Sequence, residues 1–133
     1  MPNQARLPGT LPTPTQARGA LKLARNCVRE KENVADGLKE RLAAARDEVA
    51  AAKAEMEEAE VDLVEADEDS PQEKTASVTH EKSYKRRARA QLDEEKVAKA
   101  YHLAQAELRV ALKALENARS DIEAIREGRR KGG

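Results

Sequence analysis

Apolar residues recur at alternating spacings of three and four along two long segments of the chain. In the first segment the repeat runs from Leu21 to Ala66, and Lys31 is the one polar residue at a repeat position. Such a repeat lines one face of a helix and predicts a coiled-coil seam. The predicted seam residues of this segment include Leu21, Ala24, Val28, Ala35, Leu38, Leu42, Val49, Met56 and Leu63.

The second segment shows the same repeat most clearly from Val97 onward. Its predicted seam residues are Val97, Tyr101, Leu108, Leu115, Ile122 and Ile125. Between Ala76 and Glu94 the repeat positions include polar residues such as Ser83 and Arg87. Two interpretations of this half stay open. Either the register shifts near Leu92, or this half packs loosely.

Two short motifs predict where the helices begin. Thr13 and Ser70 each precede a proline, and each is followed three residues later by Gln16 or Glu73. This order is the signature of a helix N-cap with a capping box. Gly128 is the predicted stop of the second helix. The predicted division is an extended proline-rich arm over 1–13, a helix over 14–68, a turn at 69–70, a helix over 71–127 and a basic flexible tail over 128–133.

The two predicted helices match in length and charge, which favours a hairpin over one kinked rod. Each would be about 80 Å long at the rise of an α-helix. Because both helices rise equally, a fold at Asp69–Ser70 pairs positions whose numbers add to about 139, such as Leu42 with Val97. The basic run 85–89 then falls beside acidic residues of the first helix. The chain is therefore predicted to be all-α, a long antiparallel two-helix coiled-coil hairpin.

Composition indicates that this hairpin packs with other helices. The 133 residues include no Phe, no Trp and two Tyr, which is typical of an elongated coiled coil and not of a globule. The seam is rich in alanine, which buries little apolar area per layer. Large apolar residues also occur off the seam, Leu23 and Val110 among them. We therefore expect an oligomer or a larger assembly.

Charge and candidate chemistry argue against several classes of function. The chain carries 25 basic and 25 acidic residues, a balance that argues against a general affinity for nucleic acid or anionic membranes. No stretch is long and apolar enough to span a membrane, and the N-terminus lacks a signal-peptide pattern. His80, His102 and Cys27 have no metal-ligand neighbours at a suitable spacing. The sequence therefore predicts no metal, no cofactor and no enzymatic activity.

Basic residues concentrate where the two chain ends are predicted to meet, whereas the stretch 55–73 at the turn holds ten acids and no base. The predicted hairpin thus has one basic end and one acidic tip. A basic end of this kind favours contact with phosphate groups or with an acidic protein surface. The candidate contact residues are Arg6, Arg18, Arg126, Arg129, Arg130 and Lys131.

A non-catalytic structural or assembly protein is the leading functional hypothesis. It would act through coiled-coil and arm-mediated contacts, with copies of itself or in a multi-subunit assembly, and a viral (phage) particle is the first such assembly considered. The hairpin shape also resembles the helical stalk proteins of flagellar and type III secretion export ATPases, which implies a coupling role, although no specific motif carries the resemblance. A nucleic-acid-associated protein that binds through its basic end is a further alternative. The sequence does not decide the location, and two alternatives stay open: the cytoplasm, or the virion if a phage encodes the chain.

Overall fold

Two long α-helices form the structure, a computed structural model that describes residues 11–132 of the chain and the side chains of residues 11–129. Helix α1 spans Pro14–Glu65 and helix α2 spans Pro71–Gly132. The described residues contain no strand, and the two helices pack against each other. The predicted all-α helical hairpin is therefore confirmed. Of the predicted arm, residues 1–10 lie outside the described residues.

Helix α1 begins at Pro14 because Thr13 caps its first turn. The Gln16 backbone N–H donates to Thr13 Oγ1 at 3.2 Å, and the Thr13 N–H donates to Gln16 Oε1 at 3.0 Å. Each of these reciprocal hydrogen bonds satisfies a backbone donor that has no partner within the helix. Pro14 suits the first helical position because it has no N–H to satisfy.

Helix α1 ends at Glu65, before the predicted end at Glu68. The carboxylates that follow oppose the negative end of the helix dipole, which disfavours further helical turns. Asp69 then reverses the chain with a φ of 61°, in the left-handed region. Aspartate tolerates this conformation better than most residues that carry a Cβ, so the turn forms without a glycine.

Ser70 caps α2 in a different way from Thr13 on α1. Its Oγ accepts a hydrogen bond from the Glu73 N–H at 3.1 Å and donates to the Asp67 carbonyl at 2.6 Å. The Ser70 N–H also donates to the Asp67 carbonyl, at 3.1 Å. Only half of the predicted capping box therefore forms, because the turn supplies the Ser70 N–H with a backbone acceptor in place of the Glu73 carboxylate.

Helix α2 continues past its predicted end at Glu127 to Gly132. The prediction required Gly128 to adopt a left-handed backbone as a C-cap. Gly128 does not have a positive φ, and the space where its Cβ would lie is open. One glycine costs a helix only about 1 kcal/mol relative to alanine. The predicted flexible tail is therefore helical as far as Gly132.

The chain forms two compact units. The terminal unit combines α1 up to Ala35 with α2 from Ala104 onward, and the turn unit is Asp36–Leu103. In the terminal unit, one cluster of buried apolar side chains consists of Val28, Ala111 and Leu115. The half-buried side chains packed against that cluster are Leu21, Ala24, Cys27 and Leu108.

Lys31 occupies a seam position in the terminal unit. Its Nζ donates to Glu107 Oε2 at 2.9 Å, and 36% of the Lys31 side chain is exposed. A long aliphatic stem lets the ammonium reach the edge of a seam while the methylene groups stay near the apolar residues. The hydrogen bond to Glu107, followed by the charge of its carboxylate, raises the pKa of Lys31.

Helix α2 keeps one register through the seam of the turn unit. Its buried residues there recur at seven-residue intervals and are Ala76, Ser83, Ala90 and Val97. Tyr84 and Leu92, which a register shift would turn inward, are 62% and 57% exposed. The interpretation with a shift near Leu92 is therefore wrong.

The seam has the predicted members but a thin interior. Every predicted seam residue is buried or half-buried. Ten of the fifteen buried apolar residues in the described part of the chain are alanine. Small side chains allow two helices to approach closely, but they remove little apolar area from water.

Candidate functional site

Large apolar side chains lie exposed on both helices, outside the seam. Val64 is 86% exposed, Leu23 72% and Val110 71%. Single exposed apolar residues are ordinary on protein surfaces. On helices whose shared core is mostly alanine, however, they are the largest apolar groups still available for packing. The other exposed large apolar residues of the helices are Val34, Val61, Val78, Tyr84, Leu92, Leu103 and Leu112.

A groove of about 280 Å³ in the terminal unit combines an apolar floor with a cationic rim. We call it the basic groove. Its floor consists of the half-buried seam residues Leu21, Ile122 and Ile125. Its rim consists of Arg18, Arg126 and Arg129, together with Pro14. An apolar surface framed by guanidinium groups suits a partner segment that is both acidic and apolar.

A second groove, of about 300 Å³, extends the basic groove along α1. It shares Arg18 and Leu21 with the first and adds Lys22, Arg25 and Arg29. These basic residues follow each other at spacings of four, three and four residues, so they share one face of the helix. The cationic surface of the terminal unit is therefore longer than the basic groove itself.

The basic side chains of these two grooves have no anionic partner in the described part of the chain. Its ion pairs join other residues, namely Lys31, Arg46, His80, Lys85 and Arg86 to their carboxylates. Like charges held on one surface repel each other. An anionic group bound between Arg18 and Arg126 would relieve that repulsion. The positive charge of the rim therefore favours an anionic ligand in the basic groove.

The structure brings together three of the predicted contact residues, Arg18, Arg126 and Arg129. Arg6 and the side chains of Arg130 and Lys131 lie outside the described residues. The apolar floor is what sequence reasoning missed, because its three members had been assigned to the seam alone. The sequence contained one signal for this floor: its three residues belong to the last layers of the seam, where few further seam residues can cover them.

The turn unit neutralises part of its basic run with acids of α1. Arg86 Nε donates to Glu48 Oε1 at 2.8 Å, and Arg86 Nη1 donates to Glu55 Oε2. The hydrogen bond from Arg86, and then its charge, lowers the pKa of Glu48. The same bond to Glu48 raises the pKa of Arg86. Arg86 is thus the member of the run that holds the flanks of the seam together.

Two more ion pairs in the turn unit agree with antiparallel helices. Arg46 Nε lies 3.9 Å from Glu94 Oε1, and His80 Nε2 lies 3.3 Å from Glu60 Oε1. The residue numbers in both pairs add up close to the predicted sum, as do those of Lys31 and Glu107 in the terminal unit. Each unit therefore pairs α1 with α2 in the expected alignment.

Polar atoms are also buried inside the seam of the turn unit. Ser83 is 1% exposed, and neither its Oγ nor the Nε of Arg87 has a hydrogen-bond partner among the described residues. A buried polar atom without a partner lowers stability. This part of the seam therefore buries hydrogen-bonding groups without partners, whereas the buried cluster of the terminal unit consists of apolar side chains.

The last turns of α1 carry an exposed face that is both acidic and apolar. We call residues 57–65 the acidic–apolar segment. The exposed residues of this face, at helical spacings, are Glu57, Glu58, Val61, Val64 and Glu65. The three carboxylates of this face, those of Glu57, Glu58 and Glu65, have no ion-pair partner among the described residues. The neighbouring Glu55, by contrast, pairs with Arg86.

Other features offer little specific chemistry. A groove of about 590 Å³ beside the turn has two carboxylates in its lining, those of Asp62 and Glu65, and both residues are exposed. The described residues contain no group of three His, Cys, Asp or Glu placed to hold a metal ion. No described helix is long and apolar enough to cross a membrane.

Comparison of the chain with models of known protein families, with characterised proteins and with solved structures finds no match. No relative therefore assigns a role to the basic groove, to the acidic–apolar segment or to the exposed apolar residues. Their chemistry alone carries the functional argument.

Proposed function

We propose that this protein is a non-catalytic structural component that assembles with other helices through apolar side chains outside its seam. The observation that carries the proposal is the contrast between an alanine-rich core and exposed large apolar residues. Val64, Leu23 and Val110 are each more exposed than any apolar residue of the seam.

Apolar burial explains why such helices gain from further contacts. A fully buried leucine or valine stabilises by roughly 1.5–3 kcal/mol relative to an exposed one. An alanine layer contributes far less, since it removes less apolar area from water. Packing Leu23, Leu103 or Val110 against another helix would therefore add about as much as a large seam residue does. The alanine seam aligns the two helices, and the outer residues provide contacts for assembly.

Replacing Leu23, Leu103 and Val110 together by glutamine tests this proposal. The triple variant removes three exposed apolar groups and retains good helix formers, so an isolated hairpin would be almost unaffected. We expect wild-type protein to associate in sedimentation equilibrium and to melt at a higher temperature as its concentration rises. In the triple variant both effects should weaken.

A matched control replaces exposed alanines by glutamine at Ala43, Ala50 and Ala88. This control has the same number of substitutions but removes no large apolar side chain, so its association should equal that of the wild type. A wild-type protein whose melting temperature is independent of concentration, and that captures no partner protein in its native cells, would contradict the proposal.

Two more specific hypotheses, a component of a viral particle and a stalk protein of an export ATPase, remain predictions. In-cell cross-linking of the native chain, followed by identification of the linked proteins, separates them. Linked particle proteins would support the viral component. A linked ATPase ring and export gate would support the stalk, and failure to link any structural protein would count against both.

A further inference from the structure

We propose that the basic groove of one copy binds the acidic–apolar segment of a second copy. This inference rests on the proposed assembly function and names one of its contacts. The occupant of the groove would be residues 57–65 of a neighbouring molecule. Their valines would lie on the apolar floor and their carboxylates would meet the arginines of the rim.

The groove has two requirements that its occupant must meet together. Its floor of Leu21, Ile122 and Ile125 gains from apolar side chains that exclude water. Its rim of Arg18, Arg126 and Arg129 gains from carboxylates, which guanidinium groups bind through charge-assisted hydrogen bonds. A helix that presents apolar anchors flanked by acids on one face satisfies both.

The acidic–apolar segment presents such a face. Val61 and Val64 are 53% and 86% exposed and lie three residues apart, so they point to the same side of α1. Glu57 precedes Val61 by four residues and Glu65 follows it by four, so both carboxylates flank the valines. Both are free of ion pairs among the described residues. The segment therefore matches the groove in charge and in apolar content.

Charge and apolar content favour a second copy over other occupants. Nucleic acid would match the arginines but would leave the apolar floor without a partner. Aromatic residues, which commonly stack on bases, are missing among the described residues that line the groove. Residues 1–10 of the chain contain Arg6 and no acid, so their charge does not complement the rim. The balanced charge of the chain also lets each copy supply one anionic and one cationic surface.

The proposed contact joins two different surfaces, so it repeats from copy to copy. Contacts of this heterologous kind close into rings or extend as filaments. Because exposed charges contribute to the contact, it should weaken when salt screens them. Self-association that falls with salt and increases with concentration is the expected behaviour in solution.

Charge reversal on either surface tests the proposal directly. The groove variant combines Arg18→Glu with Arg126→Glu, and the segment variant combines Glu57→Lys with Glu65→Lys. We expect each variant alone to lose association by about tenfold or more in sedimentation velocity. A mixture of the two should recover association, since every groove then meets a segment of opposite charge on the other variant. Circular dichroism checks that both variants stay helical.

The control variant combines Arg109→Glu with Lys113→Glu, two exposed basic residues of the terminal unit that line neither groove. It carries the same charge change as the groove variant and should associate like wild type. Val61→Asn with Val64→Asn tests the apolar part, and Val78→Asn is its control. Measurements at about 0.05 M and about 0.5 M salt vary the Debye length about threefold and should show weaker association at high salt.

Recovery of association only in the mixture would support the contact. Association that neither charge reversal reduces would overturn it and leave assembly through the outer apolar residues intact. Nucleic-acid binding that the groove variant loses, without self-association of wild type, would overturn it in favour of a polyanion. Association that appears only after deletion of residues 1–10 would overturn it in favour of that segment as the occupant.

Discussion

The terminal unit and the turn unit fill the same heptad positions of α2 with different kinds of residue. In the terminal unit these positions hold large apolar residues such as Leu115 and Leu108, which belong to or pack on a buried cluster. In the turn unit the equivalent positions include His80, Arg87 and Glu94. A heptad repeat thus determines which residues face the partner helix, but it does not determine how much apolar area they bury.

The turn unit adds polar contacts where its α2 seam lacks apolar volume. Arg86 joins Glu48 and Glu55 along the flank of the seam, and His80 contacts Glu60. Exposed ion pairs contribute much less than buried leucines. We therefore expect the two units to respond differently to the same kind of substitution.

The largest difference should appear when Leu115 and Arg87, two equivalent seam positions of α2, are each replaced by alanine. Leu115→Ala removes a buried side chain and should cost about 2–5 kcal/mol of unfolding free energy. Arg87→Ala removes a side chain whose buried Nε has no partner, so its cost should stay below about 1 kcal/mol. Urea unfolding followed by circular dichroism measures both. Equal costs would show that the two units do not differ in this way.

Replacing the N-caps should give the next largest effect. Ser70→Ala removes the bond to the Glu73 N–H and the bond to the Asp67 carbonyl, and should cost about 1–2 kcal/mol. Thr13→Ala removes one bond at the start of α1 and should cost about 0.5–1 kcal/mol. Thermal unfolding of the two variants in parallel tests this order. A larger cost for Thr13→Ala would contradict it.

Ser83→Ala should stabilise the protein, by about 1 kcal/mol, because it removes a buried hydroxyl that has no partner. Ser77→Ala, at an exposed position of the same helix, is the control for the higher helix propensity of alanine. The gain at Ser83 should exceed the gain at Ser77 in urea unfolding. A loss of stability at Ser83 would mean that its hydroxyl has a partner in solution.

The smallest effect concerns the pH dependence of the Arg86 ion pairs. The pKa of Glu48 is lowered in the folded protein, so its contribution to stability is present above the ordinary value of 4.5 and is lost as the pH falls through the lower folded value. Arg86→Gln should therefore reduce the melting temperature at neutral pH, and this difference from wild type should shrink in acid. Lys85→Gln is the control, since Lys85 pairs with Glu81 of its own helix. A difference that persists at the lowest pH would contradict this explanation.

Much of the fold could be predicted from the sequence because its signals are local. The heptad spacing of apolar residues required only the sequence between Leu21 and Ile125 to indicate which residues form the seam. Thr13 and Ser70 likewise indicated the helix starts within a few residues. The helix ends were harder. Gly128 lacks the left-handed conformation predicted for it, so α2 continues to Gly132, and α1 ends at Glu65 although the predicted turn begins only at Asp69.

The candidate site was only partly predictable. Arg18, Arg126 and Arg129 stood out as charges, but the sequence could not show that Ile122 and Leu21 form an apolar floor between them. That arrangement depends on how the end of one helix lies against the start of the other. The sequence showed that the valines of the acidic–apolar segment lie off the seam. It did not indicate which surface they could contact.

The sequence by itself determined two amphipathic helices, their starts and the residues of their seam, because helical periodicity depends on spacing along one chain. Tertiary structure decided the register between Ala76 and Val97, because alanine, serine and arginine carry too weak an apolar signal to select a face alone. It also decided that α1 ends at Glu65 and which charges find partners. Those outcomes depend on distances between α1 and α2, which no single segment of the sequence contains.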